Sequence, residues 1–421
     1  MKLFWMMAGL CLAMMPAFAQ KADSLSITLP QAEEQFIRNN LVLLAQKFNI
    51  DASKAAILQA KLLPNPSINI EQTLHTSEAI ANDATIGPFG QRAFQIQQLI
   101  QLAGKRNKLV QIQQINSEIT EYQFSELIRE LSFQLKSNFY QIYFLQKSLS
   151  MYAEEILTIQ GLVDAYQEQY KKGNLPYKEV VRLESFLFTL ETEQNNYRKQ
   201  IIDNQTAIKI LLGDSSKRFF NPKVDEVSLE KVSVKDLNLE KLSSLSADNR
   251  FDQKIQEASV RLEKANLALQ KAMATPDITV GYSYDRAGSY INNYHALTLA
   301  MDLPVFNKNQ GNIKIAENRI RANQAYFNQS QLVVENELLN AFAKAQETER
   351  LYRTFDKNFV GNYEKLIDGV IENYQKRNIS LIEFTDFIES YKNTVTQVNA
   401  LQNDRMQAYE LLNFVVGQKV L

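Results

Sequence analysis

The sequence is short of the residues that metal and thiol chemistry use. It holds one cysteine, Cys11, and two histidines, His75 and His295, in 421 residues. A His/Cys metal centre or a Cys/His nucleophile pair has almost nothing to be built from. Glycine (13) and proline (9) are scarce too, both below average usage, so long helices can run unbroken. No sign of charge dominates: 46 Lys+Arg stand against 47 Asp+Glu, a net charge of −1. That excludes a generally basic protein with a nucleic-acid partner and a polyacidic tail protein. After residue 19, no apolar run approaches the ~20 residues of a membrane helix. What the chain does have is an apolar content of 45%, enough for a packed core, and a length that allows two or three ordinary domains.

The one long apolar run is N-terminal. Lys2 precedes Leu3 to Met15, and Pro16-Ala17-Phe18-Ala19-Gln20 follows. Small residues at Ala17 and Ala19 fit a cleavage site before Gln20, so 1–19 reads as an export signal rather than a buried helix. Cys11 sits in Ala8-Gly9-Leu10-Cys11, a poor lipidation box. The mature chain is expected to start near Gln20 without thiols, disulfides or a lipid anchor.

The remainder reads as two copies of one plan. Ala60-Lys-Leu-Leu-Pro-Asn-Pro66 with Ile68 and Ile70 is matched by Ala272-Met-Ala-Thr-Pro276 with Ile278 and Val280, 210 positions on. Tyr170-Lys-Lys-Gly-Asn-Leu-Pro-Tyr-Lys-Glu179 is matched by Tyr374-Gln-Lys-Arg-Asn-Ile-Ser-Leu-Ile-Glu383, and Ile210-Leu-Leu-Gly213 by Phe414-Val-Val-Gly417, each 204 positions on. Near-constant offsets point to a duplication rather than a solenoid of short repeats. The first repeat is predicted over 20–213 and the second over 247–421, with a polar connector at 214–246 packed around the middle of the helices.

Each repeat opens with a helix, about 31–62 and about 247–273. A strand pair follows, about 66–102 and about 277–303. Ile278, Val280, Tyr282 and Tyr284 alternate with polar or small residues, as do Leu297, Leu299, Met301 and Leu303, the period-2 pattern of a sheet with one apolar face. The loops at about 75–92 and 286–293 are rich in turn residues. Long helices are predicted over 105–171 and 309–375, each about 100 Å at 1.5 Å per residue. Leu149, Tyr152, Ile156, Ile159, Val163, Tyr166 and Tyr170, and then Val360, Tyr363, Ile367, Val370 and Tyr374, repeat at three-to-four spacing, a lengthwise coiled-coil seam. Return helices are predicted over 177–212 and 380–416.

Four strands do not close a barrel, and a sheet edge left open in lipid leaves backbone groups unsatisfied. Membrane strands here require several chains to share one barrel. The predicted class is mainly α with a small membrane β part and a two-fold internal repeat.

The organisation resembles the TolC family of outer-membrane efflux proteins over essentially the whole mature chain. The most specific segments are Leu62-Leu63-Pro64-Asn65-Pro66, Leu303-Pro304-Val305-Phe306-Asn307-Lys308-Asn309-Gln310-Gly311-Asn312, and the two tip turns. The second segment resembles the cation-efflux (CzcC- and CusC-like) branch. The resemblance implies a long coiled-coil helical barrel continued by a shared trimeric 12-strand β-barrel. It implies a homotrimer in the outer membrane of a Gram-negative bacterium, embedded in outer-membrane lipid and extending into the periplasm. There it would dock to a periplasmic adaptor (membrane fusion) protein and an inner-membrane pump of the RND type. The function implied is the exit duct of a tripartite efflux system for heavy-metal cations, drugs or other small molecules. The competing reading is a periplasmic coiled-coil scaffold or adaptor without a channel.

No enzyme, cofactor or metal site is expected: the two histidines lie in different halves without ligand spacing. Glu383 and Asp386 stand three apart after the second tip turn, on one helix face. A three-fold ring of them at the periplasmic entrance would attract cations, and the resemblance puts an acidic gate at these positions. An acidic first turn also suits the helix dipole with no further role. The first-half counterparts, Glu179 and Arg182, allow an ion pair. The tips Gly173-Asn174-Leu175-Pro176 and Arg377-Asn378-Ile379-Ser380 are the expected adaptor contacts. Lys171, Lys172, Lys376 and Arg377 make them basic.

Overall fold

A computed structural model of the chain describes residues 24–73, 91–287, 291–355 and 358–421. The expected signal at 1–19, His75 and most of the first strand-pair loop lie outside these residues. In chain order the elements are β1 (Ser24–Thr28), α1 (Leu29–Asn39), α2 (Leu41–Lys61), β2 (Ser67–Gln72), β3 (Arg92–Ile100), α3 (Lys105–Lys171), α4 (Tyr177–Leu212), β4 (Phe219–Lys223), α5 (Glu226–Lys231), α6 (Leu239–Asn249), α7 (Phe251–Met273), β5 (Ile278–Ala287), β6 (Asn292–Met301), α8 (Gln310–Thr354), α9 (Asn358–Gln375) and α10 (Leu381–Val416). No helix among the described residues is long and apolar enough to cross a membrane.

One rule organises the upper half. Each strand of the four-stranded sheet runs into one helix: α2 leads into β2, β3 into α3, α7 into β5 and β6 into α8. The sheet order is β2-β3-β5-β6, and the helices pack in the same order, α2 on α3, α3 on α7, α7 on α8. Two polar clamps hold this register. The Lys105 ammonium donates to the Thr275 carbonyl and the Asp277 carboxylate, each at 2.7 Å, and the Leu102 amide donates to the same carboxylate at 2.9 Å. The Asn309 side-chain amide donates to the Gln270 carbonyl at 2.8 Å. In the lower half α4 packs on α3, and α9 on α10, with α10 also against α3 and α8.

Two large apolar cores, and a small one at Ile115, Ala258 and Ala265, sit along the length. The equatorial one gathers Phe36, Leu135, Phe139, Leu212, Phe220, Leu338 and Leu412. It is closed by the connector, whose β4 pairs in parallel with β1, a pairing that no alternation in the sequence signals. Buried Arg405 fastens the connector. It bonds the Glu349 carboxylate at 2.7 Å and donates to the Leu229 and Val232 carbonyls of the connector. The distal core contains the predicted seam: Tyr152, Ile159, Val163, Ile367, Val370 and Tyr374 are buried, with Ile156 and Tyr166 half-buried. Tyr170 is exposed, and Val360 and Tyr363 lie outside the described side chains.

The structure corrects three predicted helices. The stretch 31–62 breaks at Asn40, and 247–273 at Arg250, because both residues take extended backbone angles. Buried Asn40 accepts from the Val42 and Leu43 amides at 3.0 Å and donates to the Leu211 carbonyl at 2.8 Å, capping α2 while tying it to α4. Arg250 is held by Asp252 and, at 2.6 Å, by Glu337. The breaks stand 210 positions apart and are matched by two left-handed caps, Gly213 (φ +62°) and Gly417 (φ +81°). A Cβ at Gly213 would meet the Asn39 carbonyl at 2.5 Å, and one at Gly417 the Asn249 carbonyl at 3.1 Å, so the duplication extends to the packing of helix ends. The stretch 309–375 divides after Thr354, where Phe355 turns extended; no glycine or proline marks the point.

Within the span of the distal core α3 buries Glu155, 6% exposed, near Lys392 of α10. Lys392 itself bonds Glu193 of α4 at 2.7 Å. Burial, with the adjacent Glu154 charge, pushes the Glu155 carboxyl up to about 7. The folded chain thus keeps this proton to higher pH than the unfolded chain. Its contribution to stability is full below about 4.5 and is lost as pH rises through about 7. Glu155→Gln should stabilise the fold by about 3 kcal/mol at pH 8–9 and be neutral near pH 4, as denaturant titrations at the two pH values would read.

Candidate channel wall and gate

Sheet register makes the membrane candidate concrete. Apart from Leu99, the large apolar residues of the four strands fall on one face: Ile68 and Ile70 opposite Ile96 and Phe94, then Tyr282 and Tyr284, with Val280 opposite Leu299 and Tyr282 opposite Leu297. No described residue covers this face; Leu297 is 86% exposed and Leu299 71%. The other face carries Asn69, Glu71, Gln95, Gln97, Thr279, Ser283, Thr298 and small residues. β3 has 9 residues and β5 and β6 have 10 each, the length of tilted membrane strands. The outer edges of β2 and β6 have no strand partner among the described residues.

At the far end each hairpin turns through the same hydrogen-bond pattern. In the first, the Asn174 amide donates to the Gln169 carbonyl at 2.9 Å and the Gly173 amide to the Tyr170 carbonyl at 2.8 Å. In the second, Asn378 donates to Asn373 and Arg377 to Tyr374, each at 2.9 Å. This six-to-one, five-to-two pairing needs a left-handed residue at its fifth position. Gly173 fills it at φ +77° and Arg377 at φ +61°. Glycine does so freely, whereas a residue with a Cβ is strained by about 1–2 kcal/mol. Gly173, Asn174, Pro176, Arg377, Asn378 and Ser380 are exposed, while Leu175 and Ile379 are half-buried. Ile379 packs on the distal core, so the apolar residue of the second tip is turned inward rather than presented. Lys172 and Lys376 are each held by a glutamate one turn back, Glu168 and Glu372, which reduces the basic character of the tips.

Glu383 and Asp386 are both exposed on the first turns of α10. Glu383 serves its own helix. Its carboxylate accepts the Ser380 amide at 2.8 Å, and the Ser380 hydroxyl accepts the Glu383 amide at 3.2 Å. This reciprocal cap satisfies two helix-end donors. It holds the Glu383 carboxyl below its ordinary value, through the Ser380 amide and then its hydroxyl. In one chain Glu383 therefore ionises readily. Glu179 and Arg182 form no ion pair among the described residues.

Behind the cap is an arrangement that residue spacing did not reveal. Tyr374 of α9 is stacked between Phe384 of α10, centroids 4.2 Å apart, and Tyr166 of α3, 5.6 Å. One ring thus joins both hairpins one turn from Glu383. The Tyr374 hydroxyl is buried beside Tyr166, and burial first, then Tyr166, raises its pKa. The sequence shows Tyr374 only as a seam residue.

His295 lies on the apolar sheet face, its Nδ1 2.6 Å from the Tyr282 hydroxyl. Among the described residues no cluster of three or more His, Cys, Asp or Glu side chains could hold a metal ion.

This geometry agrees with what comparisons find. The family model described as "Outer membrane efflux protein" matches residues 33–214. The cobalt-zinc-cadmium resistance protein CzcC of Cupriavidus metallidurans is 21% identical over 345 residues, covering 79% of this chain and 78% of that protein. Among solved structures, CusC, described in terms of folding and transmembrane channel formation, superposes with a TM-score of 0.73 at 16% identity over 96% of both chains. The CmeC outer membrane channel of Campylobacter jejuni gives 0.76 at 12% identity, over 92% of this chain and 85% of that one. The MtrE outer membrane channel of Neisseria gonorrhoeae, in its open state, gives 0.70 at 13%, over 93% and 89%. The chain is thus similar to outer membrane efflux proteins of the TolC family, by the family model over residues 33–214 and by its fold over 92–96% of its length, and its likeness to CzcC and CusC is a likeness to the cation-efflux branch.

Proposed function

We propose that three copies of the chain form the exit duct of a tripartite efflux assembly. The observation that carries this is the open sheet, whose apolar face is bare and whose four strands each continue into a helix of the same lateral order. Strands β6 and β2 of successive copies would run antiparallel, and three copies would give twelve strands, an even number as barrels of this kind have. A periplasmic scaffold without a channel would have no use for a bare apolar sheet face, and the matched proteins do not favour that reading. The likeness to CzcC supports heavy-metal cations as the cargo. The tips 173–176 and 377–380 are the surfaces offered to an adaptor protein, which would connect the duct to an inner-membrane pump of the RND type.

Mass measurement in detergent should give a trimer, and a stable monomer would end the duct reading. Leu299→Arg places a charge on the lipid face and should cost about 2–4 kcal/mol if the position is near the mid-membrane, read as lost assembly in the outer-membrane fraction. Full assembly of that variant would refute the assigned face.

Glu383 and Asp386 are proposed as the acidic ring of the periplasmic entrance. Three-fold repetition would bring six carboxylates together, a ring that favours cations. Opening would have to separate α9 from α10 and α3 at the Tyr374 stack, with adaptor contacts supplying the energy difference. Neutralising both, as Glu383→Gln with Asp386→Asn, should lower cation selectivity in planar bilayers. Glutamine can still accept the Ser380 amide, so the helix cap and the trimer should survive. Unchanged selectivity in the assembled double variant would leave Glu383 with the capping role alone.

A further inference from the structure

We propose that the trimer is closed, where barrel meets tube, by an apolar plug from one copy seated in a pocket of the next: Leu303, Val305 and Phe306 against Leu62, Leu63 and Pro64. This deepens the trimeric duct reading and rests on it.

The internal repeat supplies the template. Within the chain, the linker between β3 and α3 lies on the linker between α7 and β5, fastened by Lys105 on Asp277 and Thr275. The corresponding linkers are the one between β6 and α8 and the one between α2 and β2. They stand at opposite edges of the sheet, so only a second copy can bring them together. β6 ends, and β2 begins, on the same side of the sheet, because neighbouring strands are antiparallel.

The ionic clamp cannot be repeated at that junction. The 210-residue offset carries Asp277 onto Ser67, and the equivalent helix start to Lys105 is Gln310. Neither is charged. Apolar residues stand there instead. The second linker, 302–309, is longer than the first, 101–104, and its added length carries Leu303-Pro304-Val305-Phe306. Phe306 is 93% exposed, Leu303 72% and Val305 63%. Across the gap, Leu62 and Leu63 are 60% and 68% exposed. Beside them a pocket of about 400 Å³ has an apolar wall of Leu63, Pro64, Leu99, Ile100 and Gly104, with Gln98, Gln101, Arg106 and Asn107 completing its lining. Its Pro64 wall is held by Gln98, which donates to the Pro64 carbonyl at 2.9 Å. An exposed phenyl ring on one edge and a pocket with an apolar wall on the complementary edge make a matched pair. A plug of this kind is insensitive to salt, unlike the Lys105–Asp277 clamp.

Cysteine cross-linking tests it, since Cys11 is the only native cysteine. Under mild oxidation, co-expressed single variants Leu63→Cys and Phe306→Cys should give a linked dimer. The double variant should give linked dimers and trimers, with short bis-maleimides reproducing the result. Phe306→Ser should lower the temperature at which the trimer dissociates in detergent, equally at low and high salt, with unchanged helical circular dichroism. A native trimer by mass that yields no 63–306 link with disulfide or maleimide would overturn the plug and leave the duct standing. A native monomer would overturn both.

Discussion

Unpaired backbone on a sheet edge is the constraint from which the rest of the structure follows. Strands β2 and β6 each present a row of amides and carbonyls outward, beside a face rich in Ile, Val, Leu and Tyr. In water those groups would be solvated, but the bare apolar face would not tolerate water. In lipid the face is satisfied and the edges are not. Only pairing edge to edge removes both penalties, and pairing of unlike edges is a head-to-tail contact that must close into a ring. Because every strand is continuous with a helix, the ring that closes the sheet also closes the helices. A barrel and a tube are then consequences of one geometric demand.

Much of this was legible in the residues because its signals are periodic. α3 and α9 cover the stretches where heptad spacing runs without proline, and the alternation over 278–301 gave both the strands and the face they expose. The breaks at Asn40, Arg250 and Phe355 were not legible, since no residue there forbids helix. Asn40 interrupts because its side chain can cap α2 and reach α4 together, a tertiary bond that local spacing does not encode. The β1–β4 pair is likewise fixed by packing on the equatorial core, its strands being five residues each. The Tyr374 stack was hidden because its rings lie on three helices, though Tyr166 and Tyr374 stood at seam positions.

The candidate gate shows two demands meeting on one side chain. An acidic residue three positions after a serine at a helix start is what a reciprocal cap requires, and the cap is formed. The same carboxylate is exposed toward the end of the hairpin, where a ring would gather it. These roles are compatible because a cap uses one carboxylate oxygen, Oε2 toward the Ser380 amide, and leaves the other to solvent or to a passing cation. Asp386 takes no part in the cap, so its charge is the one whose presence helix geometry alone does not require.

The two repeats differ where a six-fold arrangement would be of no use. Along the tube they are near copies, down to paired glycine caps against paired asparagine helix ends. At the tips the first repeat has Gly173, Pro176 and Arg182, and the second has Arg377, Ser380 and Asp386. The first tip relaxes into its turn and sets a basic residue three positions from its acidic one. The second keeps a strained left-handed arginine and stacks two acids on one face. In the proposed trimer, such divergence would give only alternate hairpins the paired acids and the strained turn. A passage gated by three alternate hairpins, with the other three as a rigid frame, can open without dissolving the tube: the buried Arg405–Glu349 and Asn40 bonds lie far along the helices from the tips and need not break. In the proposed duct, strain at Arg377 would reduce what a docking partner must supply to part the hairpins.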